Sequence, residues 1–346
     1  MKSLFLFFPL LSPMLVGMTN PTELRCEYHA SPLAIGTTKP RFSWKLGQSD
    51  PAARDIRQSA YEIQVARESD GFGVKPLWSS GQTASAATDQ IEYAGPPLTS
   101  RDRAVWRVRV WSGGDQASEW SRPATFGVGL LEPQDWTALW ISSKEDHSFT
   151  TSENIQNFVG DPKMGKIVVT PAKYFRKEFE APAIVRATIH ATALGVYTLE
   201  VNGQRVSDER LAPGWSAYQR RIHSQTYDVT RLVRAGKNAV GATLADGWYS
   251  GYVAYGLLTG QEGLVPGIDG RYNYGISPAV RVQLELEMSD GTRKTIATDT
   301  TWKTSLGPIT ESDILMGESY DARKELTGWT TAVAAGDKAA IRQEGD

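Results

Sequence analysis

Cysteine is almost missing from this chain of 346 residues: Cys26 stands alone, so no intramolecular disulfide can form and the fold must rest on its buried cores. Histidine is nearly as scarce, and His29, His147, His190 and His223 are scattered without metal-ligand spacing. No sign of charge dominates. The 37 Lys plus Arg and 39 Asp plus Glu leave a net charge of −2, which removes the electrostatic case for nucleic acid or an anionic membrane. Long amphipathic helical patterns are absent as well. The apolar run at 4–17, LFLFFPLLSPMLVG, is too short and too proline-broken to span a bilayer. Behind Met1-Lys2 it reads as a secretory leader over residues 1–19, which implies a secreted or periplasmic protein. Its cleavage site lacks a small-x-small pattern, and Met18 offers an alternative start. Arg25 before Cys26 argues against a lipid anchor.

Turn residues and aromatics are what the chain has in quantity. There are 32 Gly, 18 Pro, 11 Trp and 13 Tyr, which suits short strands, tight turns and aromatic surfaces. The length allows two or three domains with real cores. In the first, residues 20–130, Tyr61, Ile63 and Val65 alternate with Glu62 and Gln64 at the period of a half-buried strand. Trp106, Val108 and Val110 share one face, with Arg107, Arg109 and Trp111 on the other. The second domain spans residues 131–310. Its strands are expected at Tyr174–Phe179, Ala187–Ala193, Val196–Val201, Thr226–Val229, Ala239–Leu244, Val280–Met288 and Thr292–Ala297. Val280, Val282, Leu284, Leu286 and Met288 form one dry face opposite Arg281, Gln283, Glu285 and Glu287. Asn202-Gly203 is a two-residue hairpin turn, and Asp290-Gly291 another. The pattern is all-β: a fibronectin type III-like sandwich followed by a jelly-roll-like β-sandwich. Residues 143–170 and 256–275 read as long surface loops, and 311–346 as the start of a linker to a following domain.

An ordered set of motifs carries a resemblance. Leu24-Arg25-Cys26-Glu27-Tyr28, Pro40-Arg41-Phe42-Ser43-Trp44, Leu211-Ala212-Pro213-Gly214-Trp215, Tyr227-Asp228-Val229-Thr230, Asp246-Gly247-Trp248-Tyr249 and Gly317-Glu318-Ser319-Tyr320-Asp321-Ala322-Arg323 resemble, in order, the N-terminal non-catalytic region of bacterial α-L-rhamnosidases. That family hydrolyses terminal α-L-rhamnose with inversion. Its acid and base are carboxylates on a helical α/α-barrel that follows the β-domains, with room for a water between base and sugar. No position here matches those catalytic residues. Asp208, Asp246, Glu318 and Asp321 are the tempting carboxylates, and turn or cap roles suit all four.

The resemblance implies a scaffold that also grips carbohydrate, rhamnosides above all, beside a helical catalytic domain on this or a separate chain. Sugar binding needs flat aromatic faces and planar polar groups. Trp215, Trp248, Tyr249 and Tyr252 offer the first; Asn202, Asp208 and Asp246 offer the second. No cofactor is implied except calcium, which related domains sometimes hold. Calcium needs six or more oxygens, and the acid-rich 143–170 stretch (Asp146, Glu153, Asp161) shows no recognisable ligand spacing. A free-standing rhamnose-binding protein and a structural or adhesive β-protein are the alternative readings.

Overall fold

Turns every few residues, with β-branched and aromatic runs between them, leave this chain little choice but strands. The structure, a computed structural model, describes residues 18–48, 56–113, 116–144, 168–253, 264 and 270–335. Two units are distinguished by their internal contacts. The first comprises Met1–Pro32, Thr38–Leu98 and Arg103–Gly127; the second comprises Leu33–Thr37, Thr99–Asp102 and Val128–Asp346.

The first unit holds β1 (Met18–Cys26), β2 (Arg41–Gln48), β3 (Ala60–Arg67), β4 (Trp78–Ser79), β5 (Thr83–Ala84), β6 (Ile91–Glu92), β7 (Arg103–Trp111) and β8 (Ala124–Gly127). One sheet runs β1-β2-β6. The other runs β4-β3-β7-β8, with β5 pairing β3. Phe42 lies 4.4 Å from the Trp106 ring and 5.8 Å from Phe126, and with Ile63, Val65 and Val108 these rings fill the core. The opposite face of β7 behaves as its alternation predicts. Arg107 lies over Phe72 and Trp120 at 4.2 and 4.4 Å, and Arg109 lies over Trp120 at 4.6 Å. This is a cation–π ladder that covers the sheet without drying it. Cys26 is buried, and burial pushes its thiol well above the usual range.

The second unit holds β9 (Ile141–Ser142), β10 (Lys173–Ala181), β11 (Arg186–Leu194), β12 (Val196–Val201), β13 (Gln204–Arg205), β14 (Gln225–Asp228), β15 (Gly236–Ala245) and the single turn of helix α1 (Gly247–Ser250). Beyond these come β16 (Ala279–Glu287), β17 (Arg293–Ala297), β18 (Lys303–Leu306), β19 (Ile309–Asp313), β20 (Gly317–Tyr320), β21 (Thr330–Thr331) and β22 (Val333–Ala334). One sheet has the order β13-β12-β15-β10-β18-β21. The other runs β14-β11-β16-β9-β22, with β17 on β16. Their facing residues form one core, with Phe175, Tyr197, Leu199, Val240 and Leu244 from the first sheet against Ile189, Val280, Val282, Leu284 and Leu286 from the second. Asn202 and Gly203 both have positive φ, 53° and 77°, as a primed two-residue turn demands.

Two expectations change. The polar face of β16 is not left to solvent: Gln283 is 1% and Glu285 8% exposed. The 135–138 segment covers it, with Thr137 N, Thr137 Oγ1 and Ala138 N donating to Gln283 Oε1 and Arg281 Nε donating to Ala138 O. Arg101 adds a fork onto Glu285, and its Nη1 reaches Asp135 Oδ1 at 3.0 Å. The described part of the stretch read as the start of a linker, residues 311–335, is also built of strands. β20 closes a hairpin with β19, β21 joins β18, and β22 joins β9, so these residues gain ladder hydrogen bonds that a linker would leave to water. Residues 1–17 of the leader, most of the 143–170 and 256–275 stretches, and the tail beyond 335 lie outside the described residues.

Candidate functional site

Aromatic side chains gather at the end of the second unit's sandwich where β15 runs into α1. The Leu211–Gly214 turn brings Trp215 there; Tyr197 N bonds Ala212 O, and the Ala212–Pro213 peptide is cis. Trp215 is 51% exposed and lies parallel to Trp248, with ring centroids 6.0 Å apart and 4° between planes. Its Nε1 donates to Tyr274 Oη at 3.1 Å. Beneath, Tyr218 packs edge-on to Tyr249 at 5.3 Å and against Tyr274 at 5.1 Å, over Trp140 and Ile222. Gly275 is required by this packing, since a Cβ there would sit 2.0 Å from the Tyr249 ring. Burial pushes the Tyr218 and Tyr249 hydroxyls up, so both stay protonated at neutral pH.

Below the aromatic layer lies a buried ionic knot. Asp246 is 3% exposed and pairs with Arg271, which is fully buried. Thr170 Oγ1 also donates to Asp246, and Arg271 Nη1 donates to Val168 O at 2.6 Å. Burial pulls the Arg271 pKa down, but the charges of Asp246, Tyr272 and Asp313 outweigh it, and the net shift is upward. Asp313 accepts from the amides of Tyr252, Leu315 and Met316, yet burial still raises its pKa from the usual aspartate value.

Of the residues the sequence put forward for sugar, the structure brings together Trp215, Trp248 and Tyr249. Trp215 presents an open face, Trp248 is half-buried, and Tyr249 is a supporting core residue. Tyr252 is buried, its hydroxyl accepting from Val168 N. Asp246, expected to meet sugar hydroxyls, is turned inward and pairs with Arg271. Asn202 lies at the other end of β15, roughly 20 Å away at strand rise. Both ends of its amide are used, Nδ2 by Leu232 O and Asn238 Oδ1 and Oδ1 by Ala239 N. Asp208 is exposed beyond β13, outside the cluster. Glu318 is exposed on β20, and Asp321 accepts from Arg323 in a turn, which holds its carboxyl below the usual range. Tyr274, at the end of the 256–275 stretch, joins the site, and so do Tyr218 and Arg271, which the sequence reading does not single out. Tyr218 stands three residues from Trp215 and was within reach of the motif; Arg271 gave no local signal. Among the described residues no cluster of His, Cys, Asp or Glu could hold a metal.

Residues 182–343 match the family described as the alpha-L-rhamnosidase N-terminal domain, and residues 21–132 match the Rha78A-like N-terminal immunoglobulin domain. An alpha-L-rhamnosidase of Formosa agariphila is 37% identical over 310 residues, 88% of this chain and 30% of the relative. One from Alteromonas sp. is 35% identical over 316 residues, 90% of this chain and 31% of the relative. Among solved structures, an alpha-L-rhamnosidase from Dictyoglumus thermophilum superposes with TM-score 0.79 at 30% identity, covering 96% of this chain and 36% of that one. The Streptomyces avermitilis alpha-L-rhamnosidase complexed with L-rhamnose gives TM-score 0.78 at 26% identity, covering 92% of this chain and 45% of that one. The chain thus spans about a third of the length of the curated relatives it matches.

Proposed function

Because the chain belongs to the N-terminal domain families of the α-L-rhamnosidases, we propose that it is the non-catalytic β-region of such an enzyme and holds rhamnosides on the Trp215–Trp248 platform. The observation that carries the reading is the open, parallel indole pair, with Trp215 half exposed at the rim of a layer already braced by Tyr218, Tyr249 and Tyr274. The negative face of an indole suits the polarised C–H bonds of a sugar ring. An exposed tryptophan with a bonded ring nitrogen is held ready for contact at little entropic cost. Bond cleavage belongs to a helical domain, on this or a separate chain, for which exposed Leu315 and Tyr320 on the β19–β20 hairpin are available contacts. Export behind a leader at 1–19 is part of the same proposal.

The two buried carboxylates beneath the platform are not available for cleavage. Asp246 is committed to Arg271, and Asp313 to three backbone amides. The 346-residue chain is therefore expected to give no turnover of an aryl α-L-rhamnoside. Release of the aryl group at an enzymatic rate would refute the assignment of chemistry elsewhere. Titration calorimetry with L-rhamnose at millimolar sugar is expected to register binding, and Trp215→Ala to weaken it at least about tenfold, about 1.4 kcal/mol. Unchanged heats in that variant would remove the platform.

A further inference from the structure

The outward face of the sheet that carries β15 is shaped by side-chain size. β15 lies between β12 and β10. Its inward residues, Val240, Ala242 and Leu244, enter the core, and beyond Lys237 its outward residues are small: Ala239, Gly241, Thr243 and Ala245. Long outward side chains flank it, Tyr174, Arg176, Glu178 and Glu180 on β10 and Glu200 on β12. Register places Glu200, Gly241 and Arg176 in one row, and Thr198, Thr243 and Tyr174 in the next. A low strand between two tall ones makes a trough of about 980 Å³, bordered also by Leu326 and Trp329. That is the upper end of the size range of small-molecule sites.

Gly241 shows that the trough is not a by-product of packing. Its backbone is not in the left-handed region, and a Cβ would meet only Phe175 O, at an ordinary 3.4 Å. Glycine in a strand interior weakens the strand and often marks close approach of a ligand. Here its one effect is to keep the floor low. The lining carries both signs of charge, Arg176, Arg234 and Lys237 with Glu178, Glu180 and Glu200, so it does not select a polyanion. A protein partner would have to desolvate these ions, and interface cores are depleted of charge. Sugar hydroxyls both donate and accept, and form charge-assisted hydrogen bonds with either sign. Tyr174 and Trp329 add aromatic surface for ring faces.

We propose that this trough binds a neutral oligosaccharide laid along β15, as a second carbohydrate site beyond the Trp215–Trp248 platform, none of whose residues line it. The site grips without cleaving: the Glu178 side chain is 73% exposed, whereas glycosidic acids need a dry setting.

The test is titration calorimetry of the full chain with a neutral rhamnan-derived oligosaccharide as probe. Wild type is expected to bind it, and Gly241→Gln to lose at least about tenfold in affinity for it by filling the floor while its heats with monomeric L-rhamnose stay as wild type. Thermal unfolding checks that Gly241→Gln is folded; if it is not, Trp329→Ala at the rim carries the same expected loss. Wild-type affinity in the folded floor and rim variants overturns the trough. Loss in Trp215→Ala alone moves the saccharide to the platform and overturns the trough as well. Absence of binding by wild type does the same, while the platform still stands or falls on L-rhamnose.

Discussion

Replacing Asp246 by alanine is expected to destabilise the second unit by about 3–5 kcal/mol, the usual cost of leaving one member of a buried ion pair alone. Arg271 is fully exposed to the consequence: its side chain is 0% accessible, with the Tyr252 and Tyr272 rings 5.4 and 4.8 Å from its guanidinium carbon. With Asp246 gone, Arg271 keeps uncharged hydrogen-bond partners in Val168 O and Thr170 Oγ1, and the Asp313 carboxyl that also acts on it is already engaged by three backbone amides. The aromatic layer rests on this knot, since Asp246 immediately precedes α1 and its Trp248 and Tyr249. Binding at the platform should therefore fall along with stability. Removing both charges in Asp246→Leu, Arg271→Met should recover most of the loss, because an apolar pair of similar volume has no ion to desolvate. Denaturant midpoints of the single and double variants measure both. A loss below about 1 kcal/mol in Asp246→Ala would mean that Arg271 finds water or another anion, and that the knot is not closed.

What local pattern decides was legible in the sequence; what distant segments decide was not. The Asn202-Gly203 turn, the alternation of β7 and the seven expected strands of the second unit follow from residues a few positions apart, and all of them fold as their spacing dictates. Trp215 and Trp248 stood out because aromatics beside glycine turns are conspicuous. Asp246 looked equally available for a ligand, since a carboxylate at a strand end is exposed unless something covers it. The cover is Arg271, 25 residues on, after a stretch with no periodic signal. The polar side of β16 misled in the same way. Gln283 and Glu285 alternate like solvent-facing residues, but Thr137 and Ala138 from one direction and Arg101 from another close over them. The trough over β15 is the extreme case. Ala239, Gly241 and Thr243 reveal it only once β10 and β12 are known to flank them.

That covered face of β16 makes the protein acid-sensitive in a defined window. His190 sits beside Gln283 in the ladder, with Nδ1 2.9 Å from Thr226 Oγ1 and the Trp136 ring edge-on at 6.4 Å. Burial holds its pKa down to about 4, against the pull of Glu285 and Asp135, and Arg101 adds to the lowering. Between pH 6.5 and 4 the unfolded chain binds a proton at His190 that the folded chain refuses. The stabilisation is therefore whole above pH 6.5 and is lost as pH falls toward 4, for a total of about 3 kcal/mol. Glu285 and Asp135, both held below the carboxylate range against their own burial by hydrogen bonds and by Arg101, lose stability in the same direction but only in more acid solution. The histidine share can thus be isolated between pH 7 and 5, where wild type should lose about 2 kcal/mol. His190→Gln does not titrate and can still bond Thr226, so its stability should be nearly flat over that interval, although it starts lower. Equal slopes for the two proteins in urea titrations from pH 7 to 5 would show that His190 takes up its proton in the folded state, and that the cover formed by Trp136 and Arg101 opens to admit water.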